Sequence, residues 1–205
     1  SVLEVVEDRL RAGDHIVSQP EWPLVILDQG EGWLAIDKAA GVAVHPLRGG
    51  ETGSVLNAIA GRWPEVQGVG EGGLRSGVVH RLDRPVSGVV CFGRTSKGAA
   101  RLSESFRGGS AEKTYVAVTA RPLAESEGII EHWLLKDTTR NTVRVVEPET
   151  PGAKRAETRF RRLEDRRGQS LVRLSPITGR SHQLRVAMAS LGAPLSGDLR
   201  YGADE

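Results

Sequence analysis

The segment HRLDRPVSGVV, residues 80–90, sets one carboxylate, Asp83, between two guanidiniums, Arg81 and Arg84, with Pro85 directly behind them. Val86, Val89 and Val90 follow closely, so this charged turn reads as embedded in a core. A carboxylate beside low-dielectric walls must be paired or protonated. An active-site loop needs both such charges and such rigidity. A turn former or salt-bridge partner fits an isolated aspartate equally well, and these eleven residues leave both readings open.

A second group of polar residues lies in LSPITGRSHQLRVAMASLGAPLSGDLRYG, residues 174–202. Thr178-Gly179-Arg180 reads as a turn from a strand into a helix, with Ser181 as its cap. That places Arg180 at the positive end of a helix, where an anion is favoured. His182 and Arg185 are three apart and share a helix face. The other reading is a basic amphipathic helix that only packs on a sheet. Tyr115 stands in the alternating run EKTYVAVT, residues 112–119. Strand parity puts Lys113 and Tyr115 on one side and Thr114, Val116 and Val118 on the other. The valines suggest the core face, which leaves Tyr115 facing solvent or a cleft.

Other chemistries lack their motifs. His45 and His80 have no metal-ligand spacing, no HExxH or Cys-x-x-Cys occurs, and no metal is expected. The glycine-rich GVGEGGLRSG lacks the Lys-Ser/Thr of a phosphate loop, no GxGxxG opens a helix, and no GxSxG elbow is present. No cofactor is expected.

These residues need a scaffold, and the chain reads as short strands with a few helices. PLVILD (24–29) reads as a buried strand, with 33–37 as its hairpin partner across Gly30–Gly32. Residues 38–46 form a loop. Ser54 caps a helix to about Trp63, ended by Pro64. Residues 65–76 read as a mobile loop. Residues 77–79 and 88–92 read as strands flanking the charged turn, and Ser96 caps a helix to Phe106. Strands follow at 112–119 and near 129–135, 142–147, 156–164 and 170–175, with a turn at 148–154. The last helix starts after Ser181 and ends at Gly192. The expected fold is a single α+β domain, 1–205, with a mixed, mainly antiparallel sheet core and a few flanking helices.

Composition agrees with such a domain. No apolar run reaches the roughly 18 residues of a membrane span, so no membrane is expected. The acidic N-terminus is unlike a signal peptide, and the single cysteine, Cys91, forms no internal disulfide. A cytoplasmic monomer is the expectation. Residues 1–100 hold 10 Lys/Arg and 12 Asp/Glu, and the remainder 18 and 14. The second half therefore leans basic, as a nucleic-acid face or a merely solvated surface would.

Taken together, the motifs resemble a known family. HRLDRPVSG resembles the HRLD-x-x-[TS]-S-G signature of the RluA-type RNA pseudouridine synthases, and DKAAGVAVHP their KPxG-x-x-xHP loop. EKTYVAV resembles their K-x-Y-x-A strand, and LSPITGRSHQLRV with GDLRYG their closing segment. The four occur in the family's order from about residue 33 to 202. Ala39 stands where the family has proline, and Val86 where it has threonine. Family members continue past the YG with a strand carrying a His-Ala pair, so either a truncated C-terminus or another group in that role is expected here. No S4-like module is expected, although RLRAGDHI, residues 9–16, resembles the tail end of one.

The resemblance implies isomerisation of uridine within ribosomal or transfer RNA, with RNA as the partner and no metal or cofactor. It implies Asp83 as the essential carboxylate. Attack at C1′, attack on the uracil and proton abstraction at C2′ all stay open. Arg180 is implied as the charge partner of Asp83, and Tyr115 as the ring that stacks on the uracil and handles the C5 proton. Leu184 is implied to close the pocket, and Arg81 to fill the gap left by the flipped base. His45 and His182 are expected to contact RNA. Two other classes compete: a non-catalytic RNA binder on the same fold, and a hydrolase using Asp83 as nucleophile.

Overall fold

The computed structural model describes residues 15–203, so RLRAGDHI lies outside them but for its last two residues. The fold is α+β, and every strand pair among the described residues is antiparallel. The chain forms two compact units, divided after Ser110.

In the first unit β1 (Val25–Gly30) and β2 (Trp33–Lys38) form the expected hairpin, and β3 (Gly88–Gly93) pairs on the other side of β2. Leu34, Ile36, Val90 and Phe92 are fully buried. The hairpin's first strand is not buried as expected: Val25 is 59% and Leu27 52% exposed. It is the sheet's edge strand, and a bulge between Ile26 and Asp28 breaks its alternation. The expected strand at 77–79 shrinks to one bridge, Val78 to Phe92.

Helix α1 (Val55–Arg62) starts where Ser54 predicts, in a capping box. Asn57 N–H donates to Ser54 Oγ, and Ser54 N–H donates to Asn57 Oδ1. Helix α2 (Ser96–Arg107) is capped by Thr95, one residue before the expected Ser96. It packs directly on the β1–β2 turn, because a Cβ on Gly98 would sit 1.9 Å from Gly32 O. The stretch expected to be a mobile loop is a succession of tight turns. Val69 N–H donates to Val66 O, Gly77 N–H to Val69 O, and Ser76 Oγ accepts from Gly68 N–H. Buried Val66 and Val69 tie these turns to the unit.

The second unit is a five-stranded sheet in the order β4 (Tyr115–Val118), β8 (Gln169–Pro176), β7 (Lys154–Arg166), β5 (Glu127–Asp137), β6 (Thr142–Val146). A two-residue turn, Arg167-Gly168, joins β7 to β8, and both residues have positive φ. Helix α3 (Gln183–Ser190) covers one face. Ile130, Phe160, Val172 and Leu174 from the sheet and Ala187 and Met188 from α3 make the core there. Glycine 192, with φ 73°, ends the helix as expected.

Two expectations fail in this unit. Tyr115 and Ala117, not the valines, face the core, while Val116 is 61% exposed. The register decides it: Tyr115 pairs with Leu174 and Ala117 with Val172, both fully buried. Ser181 does not cap α3. His182 holds that position in the left-handed region, φ 50°, with no side-chain cap.

Candidate active site

The Asp83 loop belongs wholly to the first unit, and the β2–β3 ladder positions it. Lys38 at the end of β2 pairs with Gly88 at the start of β3. The chain leaving β2 (39–42) and the chain entering β3 (83–87) therefore meet beside this last rung. Gly88 has φ 130°, a conformation that side chains rarely adopt, which accounts for glycine there. Val86 N–H donates to Asp83 O at 3.0 Å, closing the turn around Pro85.

Three sets of bonds hold that turn. Gly41 N–H donates to Arg84 O, and Arg84 Nε donates back to Gly41 O, each at 2.8 Å. Lys38 is 1% exposed, and its Nζ donates to Ala39 O (3.0 Å), Val42 O (2.8 Å) and Arg84 O (3.3 Å). Upstream, His80 Nε2 accepts Cys91 N–H at 2.8 Å, and the ring stacks on Phe106 with centroids 4.0 Å apart. Leu82 is buried, while Arg81 and Arg84 are exposed and Asp83 is half-buried.

Lys38 and His45 are among the titrating groups of this unit whose pKa values are displaced. Burial pushes the Lys38 ammonium below its ordinary value, and the charge of Asp83 opposes that shift. His45 is buried, its Nδ1 within 2.8 Å of Pro46 O. Burial chiefly holds its pKa down, and Arg75 and Arg81 add to this. The Pro46 carbonyl and Glu71 pull the other way. The structure thus brings His45 and Arg81 into one electrostatic neighbourhood and adds Arg75, which carries an exposed 2.7 Å ion pair with Glu71.

The remaining candidates lie in the second unit. Tyr115 and Leu184 pack half-buried against the same core cluster. Arg180 is exposed at the end of the Thr178–Arg180 turn, with Nε on Arg155 O at 3.0 Å. Buried Gln183 holds that turn. Its Oε1 accepts from Thr178 Oγ1 (2.8 Å) and Arg180 N–H (2.9 Å). Its Nε2 donates to Glu157 O (2.9 Å) and Thr158 Oγ1 (3.0 Å). His182 and Arg185 meet around Tyr201. Tyr201 Oη accepts Val143 N–H at 2.9 Å and lies 2.7 Å from His182 Nδ1. Arg185 lies over the Tyr201 ring, 4.8 Å from its centroid, and grips Asp198 with two 2.6 Å bonds. These contacts fasten the GDLRYG segment to α3 and β6.

Sequence reading passed over Lys38 and Gln183. The signal for Lys38 was parity, since it continues the buried series Leu34, Ile36. Gln183 has no such signal, because its four partners come from two stretches, Glu157-Thr158 and Thr178–Arg180, that only the fold brings to it. Among the described residues no His, Cys, Asp and Glu side chains gather as a metal site, and no helix is long and apolar enough to cross a membrane.

Residues 32–190 match the family described as RNA pseudouridylate synthase. The chain is 34% identical over 182 residues to "Ribosomal large subunit pseudouridine synthase D" of Yersinia pestis, covering 89% of this chain and 54% of that protein. It is 37% identical over 186 residues to "Uncharacterized RNA pseudouridine synthase YhcT" of Bacillus subtilis (strain 168), covering 89% and 59%. Among solved structures, "Human RNA Pseudouridylate Synthase Domain Containing 1" matches with TM-score 0.70 at 26% identity, over 88% of this chain and 70% of that one. The chain spans about half the length of the curated relatives it matches.

Proposed function

Because this chain belongs to the RNA pseudouridylate synthase family, we propose that it isomerises uridines within folded RNA to pseudouridine. The observation that carries the reading is the family match over residues 32–190, which contains the Lys38 loop, the Asp83 turn, Tyr115 and the Arg180 turn. The names of the relatives favour ribosomal RNA as the substrate over transfer RNA. A cytoplasmic, monomeric enzyme without a cofactor completes the reading.

In this reaction the bond from N1 of uracil to C1′ breaks and a bond from C5 to C1′ forms. The C5 proton is lost and N1 gains one, so atoms balance with no co-reactant. Asp83 supplies the carboxylate that drives the step. Its turn is stiff and half-buried, so little reorganisation is needed to present it. Tyr115 offers a ring face to the uracil and a hydroxyl for the C5 proton. Leu184, packed against the same cluster, closes the apolar side. Arg180 pairs with the anionic group of the reaction. Exposed Arg81 takes the place of the flipped base, whose extrusion costs a few kcal/mol, and His45 and His182 contact RNA.

The test is release of tritium from RNA labelled at uridine C5. Ribosomal RNA from cells lacking the protein is offered first, then transfer RNA from the same cells. Release from ribosomal RNA is expected. A folded protein that binds these RNAs without releasing tritium is a binder, and the reading fails.

A further inference from the structure

We propose that the open face of the second unit's sheet is a phosphate-binding surface, which holds parts of the substrate RNA away from the target uridine. The inference rests on the reading above and deepens it, because it makes the substrate a large folded RNA. The five-stranded sheet has two unlike faces. Phe160, Val172 and Leu174 pack with α3. Arg159 and Arg161 flank Phe160 on β7, and Arg173 stands between Val172 and Leu174 on β8. Alternation therefore sends all three arginines to the other face. All three are exposed there, as are their cross-strand neighbours Val116 and Ile129. Tyr115 packs on the α3 side, so it and the arginines lie on opposite faces.

This placement works against the sheet itself. Arg161 stands directly opposite Arg173 in the β7–β8 register, and like charges so placed are destabilising. Arg159 is opposite Ser175 on β8 and Ile129 on β5, neither of them charged. The acids of that face are engaged elsewhere. Glu131 and Glu157 both bind Arg155, at 3.0 and 2.9 Å. Glu127 meets Arg161 only at 3.9 Å between two exposed side chains, a pair that contributes little. Glu164 lies past the β7 bulge, two residues from Arg166. Among the described residues Arg159 and Arg173 have no ion pair. The counter-charge for this trio therefore comes from outside the described fold.

An RNA backbone supplies it. Arg159 and Arg161 are about 6.7 Å apart along β7, and β8 brings Arg173 about 4.8 Å to the side. Guanidinium forks take phosphate oxygens two at a time. Such contacts position an RNA without reading its sequence. A short hairpin seated at Tyr115 does not also reach the opposite face of the sheet. An RNA with further helices beyond the target does.

The experiment compares the whole protein with a variant carrying Arg159→Gln, Arg161→Gln and Arg173→Gln. A control variant carries Lys97→Gln, Arg101→Gln and Arg107→Gln, which removes the same charge from exposed positions of α2. The probe is C5-tritiated ribosomal RNA from cells lacking the protein, offered intact and hydrolysed to short pieces. For the sheet variant, Kd on intact RNA is expected to rise at least about tenfold, with a salt slope shallower by about two. Kd on the short pieces is expected to change less than about threefold. The single-turnover rate at saturating enzyme is expected to stay within about twofold, since only binding is lost. The urea midpoint is expected to hold or rise as the like-charge pair is removed. An intact-RNA Kd within about threefold of the wild type overturns the proposal and leaves the face to an acidic protein or to solvent. An equal loss on short pieces overturns it, as does a loss as large from the control variant. A fallen saturated rate overturns it by placing the arginines in the chemistry, and a lowered urea midpoint by making them supports of the sheet. If the wild type releases no tritium while the sheet variant still loses intact RNA, the pseudouridine reading fails and the phosphate surface stands.

Discussion

The two units fasten a signature turn by opposite chemistry. In the first, a buried cation, Lys38, spends its donors on backbone carbonyls and has a carboxylate, Asp83, as its counter-charge. In the second, a buried neutral amide, Gln183, uses two donor and two acceptor bonds to lock the Thr178–Arg180 turn onto β7. A satisfied amide is a cheap pin, since its bonds replace those to water. A buried ammonium is an expensive one. The difference is that Gln183 holds its turn without burying a charge, whereas Lys38 buries one to hold the Asp83 turn.

That contrast predicts where stability resides. Gln183→Ala leaves Thr158, Thr178, Glu157 and Arg180 polar atoms without their partner. It should lower unfolding free energy by about 3 kcal/mol, read from the urea midpoint at unchanged m-value. A loss below about 1 kcal/mol would make the amide dispensable and erase the contrast. Tyr201→Phe is the milder cut. It keeps the ring under Arg185 and removes only the hydroxyl that bridges Val143 N–H and His182. The expected loss is about 1 kcal/mol. A neutral result by urea titration would mean water replaces the bridge.

The smallest effect concerns pH. His45 is held below its ordinary pKa in the folded chain, chiefly by burial. The unfolded chain therefore binds its proton more readily. Its contribution is fully present above the ordinary histidine value of about 6.5 and is lost as pH falls from there through the folded value. His45→Gln, which has no proton to gain, should lose less stability than the wild type between about pH 7.5 and 5. His132 is shifted the same way by burial, so the slope should shrink and not vanish. Equal slopes for the two proteins would show that His45 is not protected from protonation.

How much of this was visible in the chain depends on what each residue answers to. The strands at 129–135, 156–164 and 170–175 were legible because they are long and alternate in a central sheet. Ser54 announced its helix because capping is local chemistry. Edge strands misled: apolar Val25 and Leu27 in β1, and Val116 and Val118 in β4, are exposed because no further strand or helix covers that face among the described residues. Burial there is set by the neighbour's register, which one strand's composition does not contain. The candidate residues were legible as motifs, but their supports were not. Parity puts Lys38 on the buried side of its strand, but its carbonyl partner on Arg84 shows only once β3 is placed beside it. The left-handed backbone of His182 occurs where its ring meets Tyr201 edge-on, and no helix-start rule anticipates it.

The central claim is that Asp83 drives isomerisation of uridine in RNA, and Asp83→Asn tests it most directly. Asparagine keeps the shape of the turn and removes the negative charge. Tritium release from C5-labelled RNA should fall below detection, with Kd for the same RNA changed by less than about tenfold, or 1.4 kcal/mol. Sustained multiple-turnover release by a contamination-free preparation of the variant would contradict the account.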